Sequence, residues 1–80
     1  MQEIFERMQK IISEQFGVEE NSVTEATSFE EDLGADSVDL VELVMAMEDE
    51  FKIGEVGEDE LAGLSTVGDC VKFLARKLDA

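Results

Sequence analysis

Asp36-Ser37-Val38-Asp39-Leu40-Val41-Glu42-Leu43-Val44-Met45-Ala46-Met47-Glu48-Asp49-Glu50-Phe51 holds no glycine or proline, and at about 100° per residue Leu40, Leu43, Val44, Met47 and Phe51 share one narrow sector. The pattern predicts a helix from Ser37 to Phe51 that buries this sector. Asp36 is its expected N-cap, and Asp39 places a negative charge in the first turn, where it suits the helix dipole. Val38, Val41 and Met45 follow a second stripe, roughly a third of a turn from the first and next to Glu42 and Asp49. An apolar stripe bordered by carboxylates suggests a docking surface, unless the preceding loop or a short later helix covers it.

Outward from this helix the chain is helical on both sides. Ile4, Phe5, Met8, Ile11, Ile12 and Phe16 recur at spacings of three and four between Gln2 and Phe16, and Gly17 follows as a natural C-terminal residue. From Val18 to Asp36 turn formers replace the periodicity, which predicts a long loop pinned to the core by Val23, Phe29 and Leu33. Gly54 and Gly57 interrupt the chain after Phe51, and Glu58 to Gly63 allows about one helical turn. Ser65 or Thr66 can cap a last helix reaching Leu78, which would bury Val67, Cys70, Val71, Phe73, Leu74 and Leu78. No run alternates with a period of two, so the expected class is all-α, a small four-helix bundle of three long helices and one short, with a long first loop.

Eighty residues, 1–80, make one domain with a thin core, and 44% apolar residues with five phenylalanines argue for folding despite the charge. Six basic against 21 acidic residues give a net charge of −15, which disfavours nucleic acid and anionic membranes and favours partners with basic surfaces. The same repulsion favours a monomer and leads us to expect that salt or divalent cations stabilise the fold. The one cysteine, Cys70, has no partner for an internal disulfide and is most simply a core residue. No cationic segment followed by an apolar run opens the chain, and its apolar stretches are far shorter than the roughly 20 residues that span a bilayer, so a cytoplasmic protein is expected. A transit peptide removed upstream is left open by the sequence.

Ser37 lies at the mouth of a helix, where unpaired backbone N–H groups and the positive dipole end form a ready site for a phosphate. By itself this could be an ordinary helix start, with Asp36 as the cap. A serine nucleophile needs a general base, and the chain has no histidine, no tyrosine and no lysine near Ser37 in sequence, so a modified serine is expected and catalysis is not. No segment has the spacing of a calcium hand, and the carboxylates near Asp32, Asp36 and Asp39 suggest charge screening in place of a metal site.

The run Asp32-Leu33-Gly34-Ala35-Asp36-Ser37, continued by Val38 to Phe51, closely resembles the acyl carrier proteins of dissociated fatty acid synthesis. The likeness extends more loosely through Glu19-Glu20-Asn21-Ser22-Val23-Thr24 to Ser65-Thr66-Val67-Gly68-Asp69. It implies that a phosphopantetheinyl transferase attaches 4′-phosphopantetheine from coenzyme A to Ser37, whose arm carries acyl chains as thioesters. It further implies that Asp36 lies beside the transferase's magnesium, and that Val38, Val41, Glu42, Met45 and Glu48 stand where fatty acid synthesis enzymes with basic patches dock. The family shelters its acyl chain within the bundle, for which Val44, Met47 and Ala62 are available here.

Three departures from the family pattern stand out. Val38 replaces the usual leucine after the serine, and Cys70 is unusual on the last helix. Val56-Gly57 replaces an Ile-Pro pair, so Gly57→Pro should stabilise the fold if the local φ is compatible. The resemblance leaves open a polyketide or other dedicated acyl pathway. The residues alone leave open an acidic helical adaptor without a prosthetic group.

Overall fold

In a computed structural model, which describes residues 2–79, the helices begin and end where local chemistry directs. α1 spans Gln2–Phe16 and closes on Gly17, whose φ of 69° sets the left-handed turn and whose N–H donates to the Ser13 carbonyl at 3.0 Å. α2 spans Ser37–Phe51 and ends on Lys52, which adopts the left-handed region itself at φ 53°. α3 is the five-residue Glu58–Ala62, and α4 runs Val67–Asp79. Among the described residues no strand forms, only an isolated bridge pairing Ser28 with Thr66. The expected all-α bundle of three long helices and one short is therefore what the chain builds.

α1 packs against both α2 and α4. Met8 and Ile12 from α1, Leu43, Met47 and Phe51 from α2, and Val67, Cys70, Val71 and Leu74 from α4 form the buried cluster. The first loop contributes Val23 and Phe29, as its anchoring role requires, with Leu33 partly buried against them. Cys70 is wholly buried as a small core residue. Burial, and secondarily the Asp69 charge, pushes its thiol up to about 12.

Backbone pairing, which leaves no mark on side-chain type, stitches the first loop to the start of α4. Phe29 N–H donates to the Ser65 carbonyl at 3.1 Å, while Val67 and Gly68 N–H donate to Thr27 and Glu25 carbonyls at 3.0 and 2.9 Å. Loop carbonyls thus satisfy donors that a helix start leaves unpaired. Thr66 completes the cap: Asp69 N–H donates to Thr66 Oγ1 at 3.2 Å, and Asp69 Oδ2 accepts the Ser65 and Thr66 N–H groups. Those backbone donors hold the Asp69 carboxyl below the ordinary range. A short 3₁₀ turn, Glu20–Ser22, also lies within the segment expected to be plain loop.

α3 buries no residue completely and is held mainly at its edges. Glu60 Oε1 accepts from Gly57 N–H at 3.2 Å and Glu60 Oε2 pairs with Lys77 at 3.0 Å, which together lower the Glu60 carboxyl. Leu78 corrects the sequence reading, because it is 47% exposed where burial was expected. It faces the core side of α4, but the buried cluster ends one turn earlier, at Leu74.

Candidate functional site

The start of α2 is a complete capping box. Asp39 N–H donates to Asp36 Oδ1 at 2.9 Å, and Asp36 N–H donates back to Asp39 Oδ2 at 3.2 Å. Asp36 sits in extended backbone at φ −99°, ψ −174°, and its carbonyl receives the Leu40 N–H at 3.0 Å. The N–H groups of Ser37 and Val38 have no partner within the helix, as at any helix start. Both Ser37 and Asp36 are exposed, so a serine hydroxyl stands in solvent at the positive end of a four-turn helix.

Along the same helix Val38, Val41 and Met45 are 62%, 47% and 60% exposed, which excludes cover by the first loop or by α3. Glu42 and Asp49 flank them and are exposed too. Glu48 differs from its expected place on this rim: it is half-buried, and its Oε2 accepts the Val56 N–H at 2.7 Å, anchoring the chain that leads to α3. Glu50, on the α1 side, is neutralised by Arg7 at 2.6 Å, whose guanidinium also lies 4.6 Å over the Phe51 ring. The acidic rim left facing solvent on this helix therefore centres on Glu42 and Asp49.

Beside the first turns of α2 a groove of about 640 Å³ is lined by Phe29, Leu40, Leu61, Ala62 and Leu64, with Glu30 and Glu31 at its edge. Of the three residues expected to shelter a chain, Ala62 lines this groove, whereas Val44 and Met47 lie in the closed core. Among the described residues no cluster of histidine, cysteine and carboxylates has metal-site geometry. Asp32 is engaged locally, its Oδ2 accepting the Ser28 N–H at 2.7 Å, and no described helix is long and apolar enough to cross a membrane.

One residue that sequence reasoning missed acts directly on this site. Gln15 Nε2 reaches from α1 to donate to the Asp39 carbonyl at 2.8 Å. A glutamine near the end of an amphipathic helix carries no signal for such a contact, since its partner is backbone.

The family described as phosphopantetheine attachment site matches residues 6–74. Among solved structures, the acyl carrier protein of Enterococcus faecalis is similar at a TM-score of 0.79 and 33% sequence identity, covering 95% of each chain. The capped α2 with its exposed serine lies inside the matched region. The chain belongs to the acyl carrier protein family, whose domain bears 4′-phosphopantetheine and carries acyl groups on it.

Proposed function

We propose that Ser37 is the attachment point of the phosphopantetheine arm and that the exposed side of α2 is where partner enzymes read the carrier. The observation that supports this best is the meeting, in one turn, of an exposed hydroxyl, a formed cap and the first residue of an uncovered apolar stripe. The geometry suits the group: the unpaired N–H groups of Ser37 and Val38 and the helix dipole stabilise a phosphodiester on the Ser37 oxygen. One Asp36 oxygen is already engaged by Asp39 N–H, which limits the repulsion that carboxylate would exert and leaves its other oxygen toward solvent chemistry such as a transferase's magnesium.

When attached, the arm supplies a terminal thiol that holds acyl chains as thioesters. The chain itself contributes position and address and acts as a cosubstrate, not a catalyst. With no histidine in the sequence, the base that takes the Ser37 proton comes from the phosphopantetheinyl transferase. Val38, Val41 and Met45 fit an apolar pocket on a partner, and Glu42 and Asp49, seven residues apart, lie about 10 Å from each other along the axis, a spacing for two basic residues beside that pocket. The groove under Leu61 and Ala62 offers the growing chain apolar shelter next to its attachment point.

The likeness to the Enterococcus faecalis acyl carrier protein favours fatty acid synthesis over a polyketide pathway. Charge repulsion at −15 favours a monomer, and a single buried thiol suits the reducing cytoplasm. Incubation with coenzyme A, magnesium and a transferase, followed by intact mass measurement, tests the reading. The wild-type chain gains one phosphopantetheine and Ser37→Ala gains none. An equal gain in Ser37→Ala, or no gain in either, contradicts it, and the second result favours an adaptor without a prosthetic group.

A further inference from the structure

Apart from its own N-cap Asp36, the first turn of α2 is hydrogen-bonded from outside the helix by one side chain among the described residues. Gln15 donates to the Asp39 carbonyl at 2.8 Å in a half-buried bond between residues 24 apart in sequence. That carbonyl also receives the helical N–H four residues on, so Gln15 uses its second lone pair and does not compete with the helix. α1 is itself immobilised through Met8 and Ile12, both with no exposure. Asp39 relays the restraint backward, because its side chain and N–H are both bonded to Asp36. Ser37 lies between these two aspartates, exposed and otherwise untouched.

We infer that Gln15 is a positioning residue for modification of Ser37: it locks the first turn of α2 to α1 and so fixes the hydroxyl relative to the docking stripe. The inference rests on the reading of Ser37 as the attachment point. Helix ends fray, and the stripe extends from Val38 to Met45, so a transferase can seat on Val41 and Met45 while a loose first turn lets Ser37 wander. Displacements on the order of 1 Å can cost about a hundredfold in rate where reacting atoms must be aligned. Loss of the Gln15 bond should therefore impair turnover in the docked complex and leave docking itself intact.

The test is steady-state kinetics of arm transfer to the full chain, at a temperature where circular dichroism shows every variant fully helical. Gln15→Met keeps the side chain's length and removes its donor. Gln9→Met is the control, since Gln9 makes similar bonds from α1 to the Glu20 and Val23 carbonyls at 3.1 and 2.9 Å, remote from Ser37 in sequence. The expected result is a fall in kcat of about tenfold for Gln15→Met with KM within about twofold, and both constants within about twofold of wild type for Gln9→Met. Gln15→Lys, which retains an N–H donor of similar reach, should recover most of the loss.

A purely structural bond would show otherwise, because partial unfolding lowers the concentration of competent chain and raises apparent KM at constant kcat. That pattern, equal effects in the two methionine variants, wild-type kcat in Gln15→Met, or no recovery in Gln15→Lys overturns the inference. Should Gln15→Met fail to fold, Gln15→Glu, of equal length and without a donor, takes its place against Gln15→Lys. A mass gain in Ser37→Ala removes the attachment reading itself, whereas an inert Ser37→Ala with unimpaired Gln15→Met removes only the role of Gln15.

Discussion

Cys70 shows how much one residue's setting decides. Its side chain has no exposed surface, and burial, with the Asp69 charge adding, raises the thiol from an ordinary 9.0 to about 12. The folded chain therefore holds the proton more tightly than the unfolded chain. The stability this contributes is complete below pH 9.0 and is lost as pH rises from 9.0 toward 12. Alkaline titration of the unfolding free energy should fall less steeply in Cys70→Ala than in wild type, and the native thiol should react with a disulfide reagent only as fast as the fold opens. Rapid labelling of the native chain at neutral pH would contradict this. The burial of Cys70 was legible from its place on the apolar face of α4. The engagement of Glu48 by Val56 was not, because a carboxylate on a helix looks the same in sequence whether it meets solvent or a backbone N–H.

At the level of elements, α1 and α2 were readable to the residue, because both their apolar period and their end signals, Gly17 and Asp36, are local. The first loop was not, since the bonds that seat it run between backbone groups of Thr27, Glu25, Val67 and Gly68 and leave no mark on side-chain type. Gly68 exposes that junction to test. A Cβ there would stand 3.0 Å from the Glu25 carbonyl oxygen and 3.4 Å from Glu25 Cβ. Gly68→Ala gains about 1 kcal/mol of helix propensity but overpacks a backbone contact at a cost of about 1–3 kcal/mol, so its Tm should fall. A higher Tm would mean that the loop retreats without loss.

Gly57 gives the opposite lesson at the start of α3. Its φ of −76° admits proline, as the comparison with the family's Ile-Pro pair required, and a Cβ there meets nothing closer than 3.8 Å. Its N–H, however, donates to Glu60 at 3.2 Å, and proline would remove that donor. The entropy gain of about 0.4–1 kcal/mol and the loss of a bond contributing about 0.5–1.5 kcal/mol nearly cancel. Gly57→Pro should leave Tm within a few degrees of wild type, whereas Gly57→Ser, which keeps the N–H and adds a capping oxygen, should raise it by about 2–4 °C. Thermal melts that rank proline above serine would count against this balance.

For the molecule as a whole, 21 acidic side chains on a small bundle set the energetic background, and only two ion pairs, Arg7–Glu50 and Lys77–Glu60, relieve it among the described residues. Repulsion between exposed charges is screened over about 10 Å at 0.1 M salt, so Tm should rise by several degrees between low and moderate ionic strength. An unchanged Tm would show that the charges are too well spaced to matter. Under the proposed function that same surface is the carrier's address: an exposed apolar stripe with Glu42 and Asp49 beside it, beginning next to the serine that the fold holds in solvent at the head of α2. The most direct test is fragment mass analysis of the chain after treatment with coenzyme A, magnesium and a phosphopantetheinyl transferase. The phosphopantetheine should reside wholly on Ser37, and its appearance on another residue, or its absence from a chain shown to be folded, would contradict the assignment.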